Sequence, residues 1–78
     1  MPRFFFDFDD TGKQYPDTEG TDLDHFDAAK DDAVSALVEM AKDVLADGAY
    51  RELTYKVRNE HGRQLMLVGI KFELKTSP

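Results

Sequence analysis

The chain has 78 residues, 41% of them apolar, with no cysteine and a net charge of −6. That length makes one domain with a small core, burying only about 60–65% of the unfolded surface, and the lack of cysteine excludes disulfide staples and thiolate metal sites. No apolar run reaches the roughly 18 residues that span a bilayer. Asp7, Asp9 and Asp10 follow Phe4–Phe6 too closely for a signal peptide, so the expected location is cytoplasmic.

Residues 2–9 alternate. Phe4, Phe6 and Phe8 point one way and Arg3, Phe5, Asp7 and Asp9 the other, the period of a half-buried strand. Asp10-Thr11-Gly12 supplies a turn. Lys13-Gln14-Tyr15 makes a short return strand that Pro16 stops, because proline has no N–H for the ladder. Residues 16–21 read as a loop.

Asp24 is an acceptable helix N-cap. Phe26, Ala29, Ala33, Leu37, Met40 or Ala41, and Val44 follow at three- and four-residue spacing. Val34, Val38 and Leu45 widen that stripe. Asp27, Asp31 and Asp32 sit where the helix dipole favours negative charge, and Asp47-Gly48 ends the run. The spacing predicts a helix over 25–46.

Leu53, Tyr55 and Val57 alternate with Thr54, Lys56 and Arg58 as a third strand. Asn59-Glu60-His61-Gly62 is a hairpin turn. Met66, Val68, Ile70, Phe72 and Leu74 share one face of a longer fourth strand. A three-residue loop would pair Val57 with Leu65 and set apolar residues against charged ones. A four-residue loop pairs Tyr55 with Met66 and Leu53 with Val68, and a one-residue slip flips every side chain. The four-residue loop is therefore expected, with Gly62 at positive φ.

The order β-β-α-β-β predicts a single α+β domain over 1–78: an antiparallel-type four-stranded sheet with one helix packed on one face. Its expected core is Phe4, Phe6, Phe8, Leu53, Tyr55, Val57, Met66, Val68, Ile70 and Phe72. Strand order is left open by the pattern.

Few residues point to chemistry. Asp7-x-Asp9-x-Thr11-Gly12 matches the first half of a calcium loop, but Thr18 stands where a bidentate Glu is needed. The expected reading is a strand leading into a turn; a weak calcium site is an alternative. His25 and His61 have no ligand-spaced partner. Ser35 and Ser77 have no nucleophile elbow or paired base. Asp17, Glu19, Asp22 and Asp24 are expected to form a solvated acidic loop leading to the helix, or a docking surface for a basic partner. No catalytic, metal or cofactor-binding residue is assigned, and the chain is expected not to be an enzyme.

One helix covers one sheet face, so Phe5, Leu65 and Leu67 lie on the other and form the possible interface. Charge divides along the chain. Residues 1–47 hold thirteen acids and four bases, a net of −9; residues 48–78 hold three acids and six bases, a net of +3. The acidic half argues against nucleic acid and anionic membranes as partners.

The opening Met1-Pro2-Arg3-Phe4-Phe5-Phe6, the Glu19-Gly20-Thr21-x-Leu23 loop, the Asp27-Ala28-Ala29 and Asp32-Ala33 helix start, and the Asn59-Glu60-x-Gly62-Arg63 hairpin occur in one order. Together they resemble a family of short bacterial proteins, frequent in alphaproteobacteria, known only as a domain of unknown function. Members commonly carry tyrosine near Phe4 or Phe5 and Asp-Glu where this chain has Asn59-Glu60. The resemblance covers nearly the whole chain and implies a stand-alone cytoplasmic domain. It implies no activity, cofactor or catalytic residue.

The function these readings favour is a small non-enzymatic binding or interaction module. It self-associates, as a homodimer, through the uncovered sheet face or an edge, or it binds another protein. One alternative is a nucleic-acid-associated regulator using Arg51, Lys56, Arg58, Arg63, Lys71 and Lys75 on one face of the C-terminal hairpin. Another is a weak calcium-binding or small enzyme domain.

Overall fold

The computed structural model describes residues 2–44 and 49–77. In chain order the elements are β1 (Arg3–Asp10), β2 (Lys13–Tyr15), β3 (Thr21–Asp22), α1 (Phe26–Val44), β4 (Tyr50–Asn59) and β5 (Gln64–Glu73). The strands form one antiparallel sheet in the order β2-β1-β4-β5. The short β3 also pairs with β1. Because β4 occupies one side of β1 along residues 4–10, β2 and β3 share the other. The fold is α+β, with α1 standing between the strands in sequence. Among the described residues the sheet has five strands rather than four.

The first hairpin follows the turn chemistry. Thr11 and Gly12 both have positive φ, 50° and 95°, the twist that suits a two-residue antiparallel hairpin. A β-branched residue is rare in that region. Thr11 is held there from β4: its N–H donates to the Glu52 carbonyl at 2.7 Å, and its hydroxyl accepts from the Glu52 N–H at 3.1 Å. Asp9 closes the turn by accepting from the Gly12 N–H at 2.9 Å.

The fifth strand falls in the segment expected to be loop. Gly20, at φ +75°, turns the chain back so that Thr21 lies opposite Phe4 and Asp22 opposite Arg3. The Leu23 N–H then donates to the Pro2 carbonyl at 3.0 Å. A Cβ on Gly20 would lie 2.8 Å from Arg3 Cγ and 2.9 Å from Phe5 Cε2. Gly20→Ala is therefore expected to destabilise the fold by about 1–2 kcal/mol through left-handed strain and overpacking, read as a lower urea midpoint; an unchanged midpoint would refute this account of the turn.

The helix lays a narrow stripe of small residues on the sheet. Ala29, Ala33, Leu37 and Ala41 are buried. Ala29 and Ala33 pack with Phe4 and Val57, flanked by Phe6, Leu23, Tyr55, Met66 and Val68. Leu37 and Ala41 pack with Leu53, flanked by Phe8, Met40, Val44, Tyr55, Val68 and Ile70. Every expected sheet residue but Phe72 belongs to these clusters; Phe72 is half-buried. Val34 and Val38 do not widen the stripe: they are 41% and 44% exposed. Each lies one residue, about 100° around the helix, from the buried line of four-residue spacing. The helix start is also one residue later than expected. His25, not Asp24, takes the cap, its carbonyl accepting from the Ala28 N–H at 3.2 Å. The expected end at Asp47-Gly48 and the residue Leu45 lie outside the described residues.

The second hairpin corrects the expected register. Tyr55 faces Val68 and Leu53 faces Ile70, two residues beyond the expected partners. The loop has three residues: the Asn59 N–H donates to the Arg63 carbonyl at 2.9 Å, enclosing Glu60, His61 and Gly62, the last at φ +84°. The Asn59 side chain also accepts from the His61 and Arg63 amides. Val57 pairs with Met66 while Arg58 pairs with Gln64, so Leu65 is an extra residue on β5. That bulge restores the register that brings apolar residues together. The chain combines a short loop with a bulge, which reaches the apolar pairing that a longer loop would also give.

Candidate functional site

Side chains that share a register share a face. Those of Phe4, Phe6, Phe8, Leu53, Tyr55, Val57, Met66, Val68 and Ile70 meet the helix. The outer face therefore carries Arg3, Phe5, Asp7 and Asp9 from β1, Thr54, Lys56 and Arg58 from β4, and Leu67, Gly69 and Lys71 from β5.

Half of that outer face is a charged network. Arg58 Nε donates to Asp7 Oδ2 at 2.7 Å, and Arg58 Nη2 donates to the Asp17 carbonyl at 2.8 Å. The guanidinium lies 4.5 Å above the Phe5 ring, an arrangement that the ring quadrupole favours. The Asp17 N–H donates to Asp7 Oδ1 at 2.8 Å. The Asp17 carboxylate accepts from the Phe6 N–H at 3.0 Å and from the Glu19 and Gly20 amides at 3.1 Å each.

Strand pairing explains why Asp17 is needed. Phe4 is partnered by Thr21 and Phe8 by Tyr15. Between them, among the described residues, the edge of β1 has no strand beside it, and the Phe6 amide points into that gap. An unpaired backbone donor costs about as much as a lost hydrogen bond. The Asp17 side chain fills the position that a strand carbonyl would take. Partial burial pushes the Asp17 carboxyl up, but the amides of Phe6, Gly20 and Glu19 and the charge of Arg58 outweigh it and hold it below the usual range. Burial likewise opposes, and the Arg58 hydrogen bonds and Asp17 amide overcome, the shift at Asp7, whose carboxyl is also lowered.

The expected solvated acidic loop is thus only partly so. Asp17 is half-buried and structural, and Asp22 is paired with Arg3 at 3.0 Å. Glu19 and Asp24 are exposed. The calcium-loop resemblance also dissolves into local structure. Asp7 faces Arg58, Asp9 caps the turn, and Thr11 bonds to Glu52 and Asp10. Among the described residues no three His, Asp or Glu side chains converge as a metal site. His25 and His61 lie exposed at the helix start and in the second hairpin turn.

The basic residues of the C-terminal hairpin do not share one face. Arg51 is in register with Phe72 and grips Asp10 with two donors, at 2.8 and 2.6 Å. Those bonds hold the Asp10 carboxyl below its usual range. Lys56, Arg58 and Lys71 are on the opposite face. Lys71 sits 5.6 Å over the Tyr50 ring, and Lys75 pairs with Glu73 at 3.2 Å.

Of the expected interface, Phe5 is half-buried under Arg58 and against Gly20. Leu65 and Leu67 are 36% and 56% exposed. Strand β4 separates them from Phe5, so the leucines form the open part of the set. A shallow recess of about 180 Å³ lies between Asp7, Phe8, Asp9, Gln14, Pro16 and Lys56. Sequence reasoning did not single out Asp7, Asp17 and Arg58 as one unit. Pro16-Asp17-Thr18-Glu19-Gly20 does carry a signal for it, since Asp after Pro often bonds the amides that follow.

No helix among the described residues is long and apolar enough to cross a membrane. No curated protein matches the chain, and neither does any solved structure. A family model described as a domain of unknown function, DUF6894, matches residues 3–71, the span that holds every strand but the end of β5 and all of α1. The expectation of an uncharacterised domain family is met: the chain belongs to the DUF6894 domain family, whose function is unknown.

Proposed function

We propose that the chain is a non-enzymatic interaction module that self-associates. The reading rests on one observation: Leu65 and Leu67 stand exposed on β5, at the end of the strand order where no further strand covers them among the described residues. Exposed apolar side chains beside an open edge mark association surfaces. Phe5 contributes little, because Arg58 covers its ring. A nucleic-acid role has less support, since Arg51 and Arg58 are engaged by Asp10 and Asp7 and face opposite ways. The cytoplasm is the location this reading assumes.

Light scattering over a concentration series tests it. The expected result is a mass that rises from monomer to dimer between low and high micromolar protein. Leu67→Lys, which places a charge on the open surface, is expected to hold the chain monomeric at the same concentrations without changing its circular dichroism. A monomer at every concentration in the unmodified chain would end the proposal.

A further inference from the structure

The two sides of the sheet are unequal. One side is closed by short pieces: β2, of three residues and followed by Pro16, and β3, of two. Asp17 plugs the gap between them. That side offers little to another strand. The other side is β5, ten residues with no proline and with Lys71 its one basic residue. Head-to-tail pairing of β5 with the β2 side would be short and would propagate without closing. Pairing of β5 with β5 of a second copy is closed and two-fold.

The backbone of β5 specifies how. The Leu74 N–H donates to the Ala49 carbonyl across the β4–β5 register. In an antiparallel ladder, residues alternate between bonding inward and pointing outward. Phe72, Ile70, Val68 and Met66 therefore bond to β4. Leu67, Gly69, Lys71 and Glu73 turn their N–H and C=O groups to the open side, and Leu65 is the bulged residue without a partner on β4.

We infer that β5 pairs antiparallel with β5 of a second copy about a two-fold axis at Gly69, making one continuous sheet with both helices on the same face. The inference deepens the self-association reading and rests on it. This register matches outward residues with one another, Gly69 with Gly69 and Leu67 with Lys71, and brings Glu73 beside the bulged Leu65. On the helix side it sets Val68 against Ile70 and Met66 against Phe72, so every pair is apolar. All four of those side chains are half-buried in the single chain and gain cover from their counterparts. On the outer face the Lys71 stem lies along Leu67 of the other copy, with its ammonium in water. A register centred on Val68 sets Phe72 against Gln64 instead, and one centred on Lys71 opposes two like charges.

Amide hydrogen exchange on the dimer reads this directly. The amides of Leu67, Gly69, Lys71 and Glu73 face the side of β5 where no strand lies among the described residues, and their exchange is expected to slow by about a hundredfold or more on dimerisation. Leu67→Pro removes only an outward N–H and is expected to give a folded monomer. Since proline can strain the strand, disulfide trapping supplies a second measurement. An equimolar mixture of Val68→Cys and Ile70→Cys chains is expected to form the mixed disulfide faster than either homodimeric one, because those positions are directly opposed at close spacing. The chain has no cysteine of its own to interfere. A dimer whose outward amides exchange freely would overturn the edge pairing while leaving self-association through the outer face intact. Faster trapping of Val68→Cys with itself would overturn the Gly69 axis. A strict monomer would remove both readings together.

Discussion

Asp17→Ala is expected to lower the unfolding free energy by about 2 kcal/mol, a large effect for a residue in a surface loop. Its carboxylate accepts from the Phe6, Glu19 and Gly20 amides. Hydrogen bonds to a charged group are each worth about 1.5–3 kcal/mol when fully sheltered, and partial exposure reduces that sum. The Phe6 amide matters most, because it lies mid-strand where no strand of the described residues runs beside it. Asp17→Asn keeps one acceptor oxygen and is expected to lose about half as much. Urea denaturation of the three chains checks the order; equal stability of Asp17→Ala and the parent would show that water replaces the carboxylate without loss.

The same residues set the acid limit of the fold. Asp7, Asp10 and Asp17 are all held below their ordinary value of 3.8. A carboxyl lowered in the folded state adds stability that is complete above its unfolded value and disappears as pH falls through its folded one. The melting temperature should therefore be level from pH 7 to about 5 and fall steadily below 3.8. Asp17→Asn should fall less steeply, having one such group fewer. A melting curve that drops on the alkaline side instead would contradict the carboxylate network.

Leu37→Ala is expected to cost about 3 kcal/mol, a large share of the stability of so small a domain. Leu37 is 1% exposed and is the large side chain through which the helix reaches Leu53. Its buried neighbours on α1 are alanines, too small to refill the space. A domain of this length has only about 4–12 kcal/mol in total. Val38→Ala, one residue away and 44% exposed, should change stability by less than about 0.5 kcal/mol. Thermal melts of the pair separate the buried line from the exposed one; similar losses would mean that the helix is rotated from the face described here.

Several features were legible in the residues because they depend on nearest neighbours. The Phe4-Phe6-Phe8 alternation gave β1 and its core wall, and Thr11-Gly12 gave the first turn. The four-residue spacing of Ala29, Ala33, Leu37 and Ala41 gave the helix and its face. The placement of Phe5 and Leu67 on the outer face also followed from period two alone. The second hairpin was not legible in the same way. A three-residue loop with a bulge and a four-residue loop without one both set apolar residues against apolar ones, and pattern alone does not separate them.

The network of Asp7, Asp17 and Arg58 joins residues up to 51 positions apart. It exists because β2 and β3 stop short on one side of β1 and because β4 lies on the other. Short-range patterning by itself determined an α+β chain with an apolar strand at its start, one amphipathic helix and a surplus of apolar side chains on the outer sheet face. Tertiary structure alone decided the strand order, the burial of Asp17, the covering of Phe5 by Arg58 and the exposure of β5 as the open edge. Each of these depends on which backbone groups remain unpaired once the strands have met, and that is a property of the assembled sheet rather than of any segment.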